Sequence, residues 1–423
     1  MNKKTENKAV SPWQWVPSLY FAQGIPYVVV MSVAVILFKR MGMSNTDIAL
    51  YTSGLNLPWV IKPLWSPLVD LLKTKRWWIV VMQILVGAGL AGIALTIQGP
   101  LAFRYCLAFM WLLAFSSATH DIAADGFYML GLNEKKQAYF VGIRNTFYRF
   151  AVIFGQGILV MFAGWLEQRY AREMPETAAI PQAWSLTFYL LTILFALLFV
   201  YHYLFLPHPR RDTCTLPPQQ ASAGRVFKEF LGTFTSFFQK KHIVSALIFI
   251  LLYRFAEAQL VKITSPFLLD TPATGGLALS TAEVGFIYGT IGVIALTIGG
   301  IVGGIAMARR GLKSCLWTMT IAMNLPNIVY LYLSFARPES IGIISGCVAI
   351  EQFGYGFGFT SLTYFMMLFS NGKHQTAHYA ICTGFMALGL MLPGMISGWI
   401  EESIGYRAFF VWIMLCTIPS FWA

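Results

Sequence analysis

His120, Asp121 and Asp125 stand on a stretch, residues 101–130, that is otherwise apolar for the length of a membrane crossing. A carboxylate at membrane depth costs about 2.5–3.5 kcal/mol, so it is usually kept for a task. Two acids four residues apart share one helix face, which must look into protein or a water-filled cavity. The chemistry open to them is proton uptake and release, or ion pairing with a buried cation. Five basic residues are embedded in apolar runs as well: Lys62, Arg144, Arg149, Arg254 and Lys262. Two further acids, Glu257 and Glu351, lie in the second half of the chain.

These residues need a membrane-embedded scaffold. The chain is 57% hydrophobic and 11% charged, whereas a soluble protein carries about 25% charge. Twelve apolar runs have spanning length: 14–38, 48–70, 77–98, 101–130, 139–165, 184–206, 242–269, 282–306, 315–335, 341–369, 376–400 and 406–423. The fold class expected is an all-α polytopic membrane protein. The first run is too long for a cleavable signal and lacks a small-residue cleavage site. The last run ends with the sequence at Ala423, as a short helix or one cut short.

The net charge of +12 would suggest nucleic acid for a soluble protein. Its distribution points elsewhere. With the N-terminus inside, more than half of the 30 Lys and Arg fall on cytoplasmic segments, among them Lys73, Lys75, Arg76, Arg309, Arg310 and Lys313. The positive-inside rule then places both ends in the cytoplasm. No nucleic-acid partner is expected. Cys106, Cys214, Cys315, Cys347, Cys382 and Cys416 form no CxxC or Cys/His cluster, so neither metal nor a disulfide framework is expected. There is no GxxxxGK[ST] string for ATP, no HExxH and no Ser-His-Asp arrangement, so neither a cofactor nor enzymatic catalysis is expected.

A hydrophilic stretch, 207–241, divides the chain into residues 1–206 and 242–423, each with six runs. Its part 225–238 repeats phenylalanines at helical spacing and reads as an amphipathic surface helix. The two halves echo one another at an offset of about 230–238 residues. Phe21-Ala22-Gln23-Gly24 matches Phe255-Ala256-Glu257-Ala258. Ser44-Asn45-Thr46-Asp47 matches Ser280-Thr281-Ala282-Glu283, both of them helix-start signals. Ser66-x-x-x-Asp70 precedes one basic cluster, and Gly304-x-x-x-Ala308 runs into another. Asp121 has its counterpart in Glu351. Four matches in one order imply a six-span duplication.

The pattern resembles the major facilitator superfamily, which implies two pseudo-symmetric six-helix bundles with a binding site between them. The segment Gly304 to Lys313 looks like the loop motif of that family, with Ala308 where the family has an acid. The first-half copy keeps Asp70, which the resemblance makes a latch of the cytoplasmic gate. A closer resemblance is carried by Tyr20-Phe-Ala-Gln-Gly-Ile-Pro26, Lys62-Pro-Leu-Trp-Ser-Pro67 and Ser116-Ser-Ala-Thr-His-Asp-Ile-Ala-Ala-Asp125. These strings are similar to AmpG-type permeases, a branch that also holds acetyl-CoA carriers and siderophore importers. The resemblance implies proton-driven import of anhydro-muropeptides, which are aminosugar–peptide fragments, across a bacterial cytoplasmic membrane. It implies a monomer in contact with lipid, a small glycopeptide-like substrate and a proton as partners. A siderophore or a CoA ester is the alternative cargo, and a membrane enzyme or receptor the alternative class.

Spacing adds a geometric expectation. The turn at 133–137 makes residues whose numbers sum to about 270 equal in depth, at about 1.5 Å rise per residue. Asp121 is then level with Arg149, and Asp125 with Arg144. These two ion pairs either fix the hairpin register or couple a proton to the gate. Arg254 and Glu257, at i,i+3, either pair locally or line the cavity, where Glu257 would face Gln23. Lys62 binds an anionic group of the substrate or pairs with Asp70. Glu351, beside Gln352 and Tyr355, is a cavity acid or a hydrogen-bonded packing residue. Tyr27 and Tyr355 are candidates to stack on a ligand.

Overall fold

The computed structural model describes residues 11–209, 212, 231–232, 234–371 and 375–422, without the side chains at 67, 68, 70, 71, 134, 135, 138, 141 and 375–377. The described residues form helices and no strands. We number them by membrane-length segment: α1 (Pro12–Arg40), α2 (45–72), α3 (Lys75–Thr96), α4 (Ala102–Gly131), α5 (134–170) and α6 (Glu176–Phe205), then α7 (Ile243–Leu269), α8 (281–310), α9 (312–336), α10 (Ile341–Phe369), α11 (375–404) and α12 (406–422). Of the expected surface helix 225–238, residues 231–232 and 234–238 are helical, and 225–230 and 233 lie outside the described residues.

Among the described residues, eight stretches are long and apolar enough to cross a membrane outright. Two of them, Thr281–Ala336 and His378–Trp422, are longer than one crossing and turn back at a glycine. Gly311 has φ 73° and Gly405 φ 76°, left-handed conformations that a side chain disfavours. Segment α2 is interrupted near Asn56 and carries Lys62, which lowers its hydropathy. In α10 the adjoining Glu351 and Gln352 do the same.

Local chemistry starts these helices. Ser44 accepts the Asp47 N–H at 3.0 Å, and Asn133 accepts that of Lys136 at 3.0 Å. Ser280 and Glu283 form the reciprocal capping box, with the Ser280 N–H donating to Glu283 Oε2 at 2.7 Å. The outer faces present large apolar side chains such as Leu95, Leu197, Trp317 and Trp399. That surface suits lipid rather than water.

Odd-numbered segments run away from the N-terminal end of the molecule and even-numbered ones return, so the chain defines a terminal end and a far end. At the far end one apolar core joins both halves, from Ile25, Val33 and Phe38 to Phe267, Tyr288 and Tyr406. At the terminal end the cores are separate. Trp15, Leu19, Ile79 and Phe127 form one, Phe237, Phe249, Met323 and Leu362 a second, and Met307, Cys315 and Met319 a small third. Two backbone seams close the far end. A Cβ on Gly398 of α11 would overlap the Asn45 carbonyl of α2, and one on Gly164 of α5 would overlap Ala282 of α8. Where α5 and α8 meet again, at Gly157 and Gly289, both widen into π-helical turns, 153–158 and 285–292.

Candidate functional site

Asp121 is buried on α4, and its partners come from α2. Trp59 and Lys62, three residues apart, share the α2 face that meets it. Trp59 Nε1 donates to Asp121 Oδ2 at 3.0 Å, and Lys62 Nζ lies 3.9 Å from the same oxygen. Gln23 of α1 neighbours the carboxylate. The expected Asp121–Arg149 pair is not formed. The two share a depth, but Asp121 is rotated toward α2. Arg149 instead lies within electrostatic reach of Tyr27, Tyr148 and Tyr355. Lys62 accordingly pairs with Asp121. The side chain of Asp70 lies outside the described residues.

Asp125 does meet Arg144, whose Nη1 is 3.4 Å from Asp125 Oδ1. Tyr20 ties the pair together. Its hydroxyl donates to Asp125 at 3.0 Å and accepts from Arg144 at 3.0 Å, and the guanidinium lies over the Tyr20 and Tyr128 rings. The strings around Tyr20 and Asp125, about a hundred residues apart, therefore meet in one cluster.

The second half builds its own group from α7, α8, α9 and α10. Glu351 is 1% exposed and accepts from Tyr330 at 3.1 Å and from Gln352 at 2.9 Å. Glu257, 3% exposed, lies within electrostatic reach of Glu351, and its Oε2 has no hydrogen-bond donor among the described residues. Arg254 does not pair with Glu257. It sits at the break in α7 between Leu252 and Phe255, within electrostatic reach of Glu257 but bonded elsewhere. It donates to the Tyr355 hydroxyl and lies over the Tyr355 and Phe359 rings. Tyr288 completes the group beside both acids.

The two groups face each other across the middle of the molecule. Tyr27 is within reach of Arg254 as well as Arg149, and Tyr355 within reach of Tyr27 and Arg149. Gln23 and Glu257 do not meet; each belongs to the group of its own half. The facing groups thus carry cations on both sides, acids on both sides, and the rings of Tyr27, Trp59, Tyr148 and Tyr355. Trp59, Tyr148, Tyr288 and Tyr330 were not singled out by sequence. Only the i,i+3 relation of Trp59 to Lys62 hinted at one of them.

His120 turns away from both groups. It meets Gln83 at 3.2 Å; Gln83 meets His202 at 2.8 Å, and His202 meets Ser18 at 3.0 Å, a buried polar chain through α4, α3, α6 and α1. Among the described residues no three His, Cys, Asp or Glu gather as metal ligands.

The far end is tied by a network that sequence reasoning missed. Lys39 reaches Asp270 at 2.7 Å and Asn45 at 2.8 Å. Asn45 donates to Glu401 at 2.6 Å and to Tyr406 at 2.8 Å, and Tyr406 donates to Asp270 at 2.6 Å. Glu167 accepts from Arg40 at 3.1 Å and from Trp184 at 2.8 Å in its own half, and from Thr281 of the other at 2.6 Å. Among the described residues, the hydrogen bonds and ion pairs that join the two halves lie at this end.

A family model described as Major Facilitator Superfamily matches residues 18–377. The chain is similar to "Putative transporter AmpG 4" of Rickettsia conorii, 25% identical over 413 residues that cover 95% of this chain and 93% of that one. It is 24% identical to the "Anhydromuropeptide permease" of Escherichia coli over 409 residues, 95% of this chain and 77% of that one. Among solved structures it resembles the nucleoside transporter NupG, with TM-score 0.70 and 15% identity over 97% of each chain, a likeness that shows the fold alone.

Proposed function

The chain belongs to the Major Facilitator Superfamily and is a membrane transporter of a small molecule, and from that premise we propose that it imports anhydro-muropeptides together with protons. Both termini are placed in the cytoplasm and the far end outside a bacterial inner membrane. The bundles 1–206 and 242–423, joined by 207–241, rock about the central chamber as a monomer. The structure is then the inward-facing state, its outer end sealed by the glycine seams and the Asn45 network.

The observation that carries proton coupling is a repeated pair with one difference. Gln23 lies beside Asp121, and their counterparts Glu257 and Glu351 lie beside each other. An amide beside an acid needs no proton. Two acids within reach of one another at membrane depth share one, because their like charges cannot both be kept without a bonded cation. Glu257 and Glu351 are the proton site of this reading. Its release turns on Arg254, which exchanges Tyr355 for a freed carboxylate. Asp125, Arg144 and Asp70 hold the cytoplasmic gate, and Asp121 and Arg149, each with its own partners, stand between that gate and the chamber.

The cargo reading is supported by the strings shared with AmpG-type permeases and by the permease relatives. The chamber suits an aminosugar joined to a peptide: Tyr27 and Tyr355 stack on the sugar, Lys62 and Arg254 meet carboxylates, and Gln23 and Gln352 meet amides. The test is uptake of labelled anhydro-muropeptide into proteoliposomes with and without an imposed pH gradient. Accumulation that requires the gradient is expected. Absence of uptake under both conditions overturns the cargo.

A further inference from the structure

Lys262 is an embedded cation with no role in the reading above. It is 4% exposed, and among the described residues it makes no hydrogen bond or ion pair. Lys62 has Asp121, Arg144 has Asp125, and Arg254 has Tyr355. An ammonium held at membrane depth without a counter-charge is costly, and such residues mark ligand paths. The stem of Lys262 runs past Gly394 of α11, where a Cβ would lie 3.5 Å from Lys262 Cγ. The same Cβ would lie 2.6 Å from Ser53 Oγ of α2. That hydroxyl is fully buried and has no hydrogen-bond partner among the described residues. Glycine at 394 lets α11 approach α2 and α7 closely, so the Ser53 hydroxyl and the Lys262 stem come to one junction, beside the Ala258 carbonyl.

Their depth agrees. Ser53 lies eight residues from Asn45, and Lys262 eight residues from Asp270, the two ends of the far-end network. At about 1.5 Å per residue both sit about 12 Å below that network, on the side of the central groups. We propose that Lys262 and Ser53 form an anion site for one carboxylate of the transported solute. One ammonium neutralises a single unit charge, which matches a carboxylate rather than a phosphate dianion. Because Ser53 belongs to the first half and Lys262 to the second, a bound carboxylate bridges the halves and favours the sealed far end. Only the identity of the carboxylate, the peptide terminus of the muropeptide, rests on the proposed function.

The test uses the full-length purified protein. In thermal unfolding, N-acetylalanine raises the midpoint of the wild type and N-acetylalaninamide does not. Neither probe shifts Lys262→Met, while Lys262→Arg keeps the response and Ser53→Ala weakens it. Unliganded Lys262→Met is at least as stable as wild type, since it loses a buried unpaired charge. In proteoliposomes Lys262→Met raises the KM for labelled anhydro-muropeptide about 10- to 100-fold, the value of a charged hydrogen-bonded contact, with Vmax little changed. The proposal falls if the acid shifts Lys262→Met as it shifts wild type, or shifts neither. An acid-specific shift in a wild type that takes up no muropeptide removes the cargo and leaves the site.

Discussion

In the first half the embedded acids Asp121 and Asp125 each lie against a cation, Lys62 and Arg144. In the second, Glu257 and Glu351 lie within reach of each other, and Arg254, three residues from Glu257, is turned to Tyr355 and Phe359. The two halves are copies in helix order, in the starts of α2 and α8, and in the placing of the pairs Gln23/Asp121 and Glu257/Glu351. They differ in what occupies those places. A duplicated frame can therefore keep a neighbour relation while changing its chemistry from a compensated charge to a pair of acids.

What the halves share should break first and most completely. A valine at Gly398 or at Gly164 would overlap the backbone of the opposite half, so Gly398→Val and Gly164→Val should both reduce accumulation and counterflow to background. Counterflow of labelled solute in proteoliposomes measures this. A surviving exchange in either variant would mean that its seam need not close during transport.

The next effect separates the halves. Glu257→Gln gives the second half the amide–acid arrangement of the first. Gradient-driven accumulation should fall to the level of equilibration, with counterflow retained. If Glu257→Gln still concentrates solute against a gradient, the acid pair is not the proton site. Asp121→Asn should leave coupling in place and act on stability, because it strands Lys62. The loss expected is about 1–3 kcal/mol in thermal unfolding, and Asp121→Asn with Lys62→Met should recover most of it. Abolition of accumulation by Asp121→Asn would reverse the assignment of roles to the two halves. The smallest effect should be that of Tyr20→Phe, which removes one hydroxyl bridging Asp125 and Arg144 while their direct contact remains. A loss of about 1 kcal/mol is expected, and no change in the unfolding midpoint would show that the bridge is idle.

The polar chain His120–Gln83–His202–Ser18 shows why the opening motif of α4 was only partly legible. His120 and Asp121 are adjacent in sequence yet point about 100° apart around a helix. One faces α3 and the other α2. The far-end ties were not legible at all. Asn45 and Glu401 are 356 residues apart; Asn45 stands in a helix-start signal that says nothing of where its side chain goes, and Glu401 in no motif, so nothing local joined them.

By itself the sequence determined the crossings, the duplicated order, the helix starts at Ser44 and Ser280, and the pairing of Asp125 with Arg144. All of these follow from quantities that run along the chain: apolar length, capping chemistry, and a fixed rise per residue on either side of a short turn. The tertiary structure alone decided that Asp121 turns to Lys62 and not to the equally deep Arg149, that Arg254 bonds Tyr355 rather than Glu257, and that Lys262 and Ser53 both come to Gly394. Rise sets depth, but the direction a side chain takes around its helix becomes a contact only once the neighbouring helices are packed.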